Sequence, residues 1–278
     1  MSPEVTLSWH PEPDQTLYAA YKTGYKSGGI SNAFLVYANA TPQNVQFRPE
    51  KSRGGEIGYK ATMLDHRLRF NLTAYHYNYD DLQVVSYDAQ TINFSIGNAA
   101  SARIQGVEGE FDWLALQDLT FLGNVGFNHA RYQNYPNAQC FAGQTAAQGC
   151  NPATSEQDLS GKPLLRAPNL TYSLGAEYKL RLASHWSATL SLQGTWSDSY
   201  QTASDYSPGG FQDSYWLLNA AVRAAYDDKY EVAFLGRDLT NSYYTLNTVG
   251  WSGSNNPNQY AGFFNRPREL VLQVTARF

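Results

Sequence analysis

The end of the chain alternates. Leu270, Leu272, Val274, Ala276 and Phe278 are apolar, Glu269, Gln273, Thr275 and Arg277 are polar, and Val271 is the one exception. Successive side chains of a strand point to opposite faces, so this segment predicts a strand with one greasy face and one wet face. The same period recurs upstream. Leu170, Tyr172, Leu174, Ala176, Tyr178 and Leu180 alternate with Thr171, Ser173, Gly175, Glu177, Lys179 and Arg181. Trp186, Ala188, Leu190, Leu192, Gly194 and Trp196 alternate with Ser187, Thr189, Ser191, Gln193 and Thr195. Ordinary strands run ~5–6 residues, whereas a tilted strand crossing a bilayer needs ~9–11. The length and strictness of this alternation fit a wall between lipid and water. Trp186 and Trp196 bracket one strand, as headgroup-level aromatic belts require.

Carried along the chain, the pattern predicts strands near 4–10, 15–26, 53–63, 66–79, 102–114, 118–131, 169–181, 185–197, 214–226, 229–238 and 268–278. Very short turns fall at His10–Asp14, Leu64–Asp65, Ala115–Gln117, Leu182–Ser184 and Asp227–Asp228. Long loops fall at Ser27–Ser52, Asp80–Ser101, Tyr132–Pro168, Asp198–Asp213 and Leu239–Pro267. Short and long connections alternate, as they do between periplasmic turns and extracellular loops of an outer-membrane barrel. The expected fold is all-β: an antiparallel transmembrane β-barrel segment of about eleven strands. Single-chain bacterial barrels close on even numbers, so eleven strands read as an incomplete wall.

Composition agrees. Charged residues make up 16% of the chain, and Tyr (21) and Gly (22) are abundant. The net charge of -4 leaves no basic surplus for nucleic acid. No run of ~18 apolar residues is present, which excludes a transmembrane helix. Met1-Ser2-Pro3-Glu4-Val5 has neither a charged nor an apolar leader region, so no signal peptide is expected in these residues. Cys140 and Cys150 lie in a Gly-, Gln-, Ala- and Asn-rich loop without a neighbouring His. A local disulfide is favoured over two unpaired loop cysteines, and neither a metal site nor a cofactor is expected.

Several stretches resemble the TonB-dependent outer-membrane receptors. Leu17 to Gly29 looks like a mid-barrel strand running into a Gly-containing loop. Glu56-Ile57-Gly58-Tyr59-Lys60 with Tyr79-Asp80-Asp81-Leu82-Gln83, and Gly97-Asn98-Ala99 with Gly106-Val107-Glu108-Gly109-Glu110, resemble paired family strands. Ala167-Pro168-Asn169, Asp238-Leu239-Thr240-Asn241-Ser242-Tyr243-Tyr244 and Arg266-Pro267-Arg268 follow in the family's order. Asp238 stands where the family usually has Asn. The resemblance implies that residues 1–278 form the carboxy-terminal half of a 22-stranded barrel, without the plug domain or the first barrel half. It implies TonB-energised uptake of a large scarce ligand such as a ferric siderophore. The plug and TonB would be met through the missing amino-terminal part. Implied partners are outer-membrane lipid and the barrel-assembly machinery, which would read Leu270, Leu272, Val274, Ala276 and Phe278. No nucleic acid is implied.

Catalytic motifs are absent. The five histidines are dispersed, and neither H-E-x-x-H nor G-x-S-x-G occurs. Glu108, Glu110 and Asp112 share one face and are expected in the lumen. Candidate ligand-gripping aromatics on the loops are Tyr132, Tyr135, Phe141, Tyr206, Phe211, Trp251, Tyr260, Phe263 and Phe264; part of them could equally form the upper aromatic girdle. Two other readings compete: a self-contained small pore, porin- or autotransporter-like, and a soluble β-rich binding module or glycan-active enzyme.

Overall fold

The computed structural model describes residues 2–31, 41, 45–88, 93–227, 229–250 and 259–277. Trp251 and Phe278, two residues singled out above, lie outside the described residues. One sheet dominates. Its strands are β1 (Glu4–Trp9), β2 (Gln15–Lys26), β3 (Glu50–Met63), β4 (Leu68–Asp88), β5 (Asn93–Leu116), β6 (Leu119–Asn134), β7 (Leu170–Arg181), β8 (Trp186–Ser197), β9 (Tyr215–Tyr226), β10 (Tyr230–Arg237) and β11 (Glu269–Ala276). Each pairs antiparallel with its neighbours in sequence, so the sheet is an eleven-stranded meander. The sheet is open: β1 and β11 are its edges. No helix among the described residues is long and apolar enough to cross a membrane.

The register carries the two faces across the whole sheet. Leu174 pairs with Gly194, Leu192 with Ala220, Val222 with Phe234, and Phe234 with Leu272. These residues form an apolar face that nothing in the chain covers: Leu272 is 68% exposed and Val274 71% exposed. Water would not tolerate such a surface, and a lipid phase supplies the missing contact. Aromatics mark its two borders. Near the turns, Trp186 meets Tyr226 at 5.1 Å and Trp113 meets Phe121 at 5.9 Å. Near the loops, Tyr172 meets Trp196 and Trp216, each at 5.4 Å. Trp186 and Trp196 are ten residues apart on β8, about 33 Å at ~3.3 Å per residue. A strand tilted by ~40° turns that into a band about 25 Å tall, the height of a barrel's apolar belt.

The turn end is tight. Asp65 and Asp227 take left-handed backbone conformations, as short hairpin turns demand. Arg181 reaches Asp118 at 3.0 Å, and His185 Nδ1 lies 2.6 Å from Asp227 Oδ1, which stitches neighbouring turns together.

The loop end departs from expectation. Within Asp80–Ser101, the described residues on both sides, up to Asp88 and from Asn93, are strand rather than loop. β4 and β5 continue past the apolar band as a two-stranded ribbon, with Val84 opposite Gly97 and Asp88 opposite Asn93. A bulge between Tyr79 and Leu82, with Asp81 left-handed, breaks the alternation there. Beyond the lipid the ribbon packs on the loops instead, with Leu82 and Val84 against the small core that holds Ala100 and Tyr132, so its alternation no longer follows a lipid-facing side. Shorter ribbons also form inside the other expected loops, at Thr245–Gly250 with Tyr260–Phe264 and around Ala138–Gln139, Cys150–Asn151 and Glu156–Gln157.

Candidate ligand mouth and polar wall

The polar face of the sheet is an ion-paired surface. Lys22 Nζ lies 2.7 Å from Glu56 and 3.9 Å from Glu4, and the Tyr77 hydroxyl donates to Glu56 at 3.0 Å. Gly58 leaves room for the Tyr18 ring, since a Cβ there would sit 2.2 Å from it. Lys60 lies 5.5 Å from that ring's centre. Glu108, Glu110 and Asp112 all fall on this face, opposite Thr73, Asn71 and Arg69. Asp112 accepts from Arg69 at 2.9 Å and Glu110 from Asn71 at 2.5 Å. Held this way, Asp112 is paired with a cation and Glu110 with an amide, which are structural roles. Among the described residues no group of three or more His, Cys, Asp or Glu could hold a metal ion.

A second stretch of the polar face, over β7–β11, forms an open cavity of about 710 Å³. Glu177, Arg223, Arg237 and Glu269 line it, with Tyr244 and Asn265 at its loop end. Arg237 and Arg266 both reach Glu269, at 3.3 and 3.7 Å. Asp238 organises this corner. It is 8% exposed and left-handed, its Oδ1 accepts from Thr240 at 2.8 Å and from the Ser242 amide at 3.0 Å. Aspartate tolerates that backbone region and supplies the acceptor for the turn. The turn brings Tyr244 flat against Tyr215, 4.2 Å between ring centres, and Tyr200 meets Tyr215 edge-on at 6.4 Å. Burial raises the pKa of both Tyr200 and Tyr244, and Tyr200 is raised further by its hydrogen bond to Tyr215. This tyrosine stack was not singled out from sequence. Its only signal was Tyr244, the last residue of the Asp238–Tyr244 motif.

The loops pack into a cap with its own small core. Tyr132 (5% exposed) and Tyr135 (4% exposed) are buried with Ala100, Ala138 and Leu159, and Tyr206 packs against them. Tyr132 meets Tyr135 at 5.0 Å. These two expected ligand-gripping rings therefore hold the cap together and present little surface. Burial raises the pKa of Tyr132 and pushes Tyr206 up to about 12, a rise that Arg131 opposes. The Tyr206 hydroxyl donates to the Pro163 carbonyl. Gln157 Nε2 donates to the carbonyls of Gln139 and Asp205, at 2.7 and 2.6 Å, and so ties two loops together. Cys140 and Cys150 are bonded, closing a ten-residue separation. Phe141 and Tyr260 are partly covered, and Tyr260 packs over Gly209. Phe211, Phe263 and Phe264 are exposed. Among the described residues the expected set thus divides into cap-core tyrosines, the partly covered Phe141 and Tyr260, and outward phenylalanines.

Comparison with known proteins follows this geometry. A family model described as the β-barrel of TonB-dependent receptor-like proteins matches residues 1–239. Among solved structures, the ferric yersiniabactin uptake receptor of Yersinia pestis superposes with a TM-score of 0.74 at 14% identity, covering 99% of this chain and 37% of its own. The siderophore receptor PiuA of Acinetobacter baumannii gives 0.70 at 13% identity, covering 98% and 35%. The outer-membrane ferripyoverdine receptor of Pseudomonas aeruginosa, bound to ferripyoverdine, gives 0.63 at 17%, covering 99% and 32%. At such identities these likenesses concern the fold, and the chain spans about a third of the length of each. The family match covers most of the chain, and the open meander agrees with it: the chain belongs to the TonB-dependent receptor family, within its β-barrel.

Proposed function

We propose that these residues form the carboxy-terminal wall of an outer-membrane receptor for TonB-energised uptake of a large scarce ligand such as a ferric siderophore. The observation that carries the reading is the pair of free edges. With eleven antiparallel strands, β1 and β11 run in the same direction. They cannot close antiparallel on each other. Antiparallel closure takes an odd number of further strands, and an open edge in lipid costs several kcal/mol per unsatisfied backbone group. The polar face is then the lumen, and Glu108, Glu110 and Asp112 face it. The exposed Phe211, Phe263 and Phe264 line the mouth above, joined by Tyr260 and Phe141. Receptors of this class move a ligand; the reading assigns no catalysis. Leu270, Leu272, Val274, Ala276 and Phe278 supply the signal for barrel assembly.

The test compares the full-length receptor in cells with and without TonB, using radioactive iron loaded on a panel of hydroxamate and catecholate siderophores. TonB-dependent uptake of one panel member is expected. Equal uptake in both strains, together with passage of small sugars through liposomes carrying the protein, would replace the receptor with a simple pore.

A further inference from the structure

The apolar outer face ends differently on its two halves. Counted from the nearest tight turn, Tyr172, Trp196 and Trp216 lie ten to twelve residues up β7, β8 and β9. At a similar height on β3–β6 there is no tryptophan. Arg53 lies twelve residues above Asp65, Arg131 thirteen above Asp118, and Arg103 fourteen below Gln117 in sequence, at the matching level of β5. Cross-strand pairing sets these cations in one row: Arg53 opposite Asn78, Asn78 opposite Arg103, Arg103 opposite Arg131. Neighbouring strands are ~4.8 Å apart, so the row is about 15 Å wide. The row beneath holds His76 and His129, with Gln105 between them, and Lys51 flanks the top. The next row down is Ile57, Ala74, Val107 and Phe127, the start of the apolar band.

We infer that this outward patch binds the phosphorylated headgroup of a lipid in the outer leaflet, whose acyl chains lie on Ile57, Val107 and Phe127. Charge complementarity carries the assignment. Four cations face one acid, Asp80, which reaches Arg53 at 3.2 Å. Arg103 Nε donates to Asn78 at 3.2 Å, and Arg131 donates to His129 at 3.1 Å and to the Gly161 carbonyl at 3.0 Å. These contacts orient the guanidinium groups and leave donors over for phosphate, which arginine can take two at a time. Continuity with the lipid-facing band carries the rest: a soluble anion would use only the upper rows, whereas a lipid uses the cations and the greasy row below them. The β7–β9 rim, with aromatics at the same level, is the ordinary belt for a neutral interface.

The inference rests on the outer-membrane reading, and its test separates the two. The full-length receptor is purified from outer membranes and mixed with phosphatidylcholine carrying either a bis-phosphorylated glucosamine lipid or its dephosphorylated form. Lipid retained after gel filtration is measured by native mass spectrometry. The wild type is expected to retain the phosphorylated form at least about tenfold better, and the Arg53→Gln, Arg103→Gln, Arg131→Gln triple variant to lose that preference. The corresponding triple lysine variant keeps the charge and is expected to keep most of the preference, which guards against misfolding. Equal retention of both forms by a membrane-embedded wild type overturns the inference alone. So does an unchanged preference in the glutamine variant, or displacement of the lipid by inorganic phosphate at the same concentration. Recovery of the receptor in the aqueous extract overturns the outer-membrane reading with it.

Discussion

The wall and the cap solve the same problem in opposite ways. In the wall the large apolar side chains point outward, and Leu192, Phe234, Leu270 and Leu272 are all exposed. Lipid takes the place of a core, so the wall is held by its backbone ladder, with side-chain ties across its polar face and turns. In the cap, water surrounds the chain, and Tyr132, Tyr135, Ala138 and Leu159 withdraw into a small core. A disulfide and side-chain to carbonyl bonds between loops add to it. The lesson is that "exposed" and "buried" carry opposite meanings at the two levels. An exposed leucine in the wall is in its proper solvent, whereas the cap withdraws its leucine, Leu159, from water.

Substitutions that act on one region and spare the other sharpen this contrast. The largest effect is expected at the cap core: Tyr132→Ala should cost about 3–5 kcal/mol of local stability. Hydrogen exchange should speed up across residues 132–164 while β8–β10 amides keep their protection. Loss of protection in both would show that cap and wall unfold as one unit. Next is Leu192→Arg, in the middle of the apolar band, at about 2–4 kcal/mol. The amount of heat-modifiable protein in the membrane should drop, while Ser191→Arg on the adjacent polar face leaves it nearly unchanged. Similar losses for both would remove the distinction between faces.

Removal of the disulfide by Cys140→Ser should cost about 2–3 kcal/mol, confined to the cap. Limited proteolysis around Phe141–Gln148 is the readout, and unaltered cleavage would mean the ribbon is held without it. The smallest effect is a pH response. The hydroxyl of Tyr206 titrates higher in the folded protein than its ordinary value of 10.0, at about 12, because burial disfavours its anion. Its contribution is complete below pH 10 and is lost as pH rises towards 12. Cap proteolysis should therefore increase across that window. Tyr206→Phe should flatten the increase, and an unchanged profile in that variant would assign the response to other groups.

Much of the wall was legible in the sequence. The strands at 169–181 and 185–197 match β7 and β8 to within a residue, because a uniform lipid phase on one side imposes a strict period of two. β11 pairs with β10 as expected, with Tyr230 opposite Ala276. The same rule misread Asp80–Ser101, where the ribbon leaves the lipid and the period loses its cause. The cap tyrosines were placed on loops and given to a ligand, since a ring in a polar stretch looks free until its packing partner is known. That partner for Tyr132 includes Leu159, far along the chain, and Tyr206 bonds to Pro163. No local pattern encodes such contacts.

The sequence by itself determined which side of each membrane-level strand is greasy and where the tight turns fall. Those are local properties, fixed by side-chain alternation against two solvents. Only the tertiary structure decided which rows align across strands. Register set Arg53, Arg103 and Arg131 side by side, although they come from three strands. Loop packing placed Tyr215 on Tyr244 and closed the cap over Tyr132 and Tyr135. Pairing and packing join residues distant in sequence, so their outcome depends on geometry that no single segment carries.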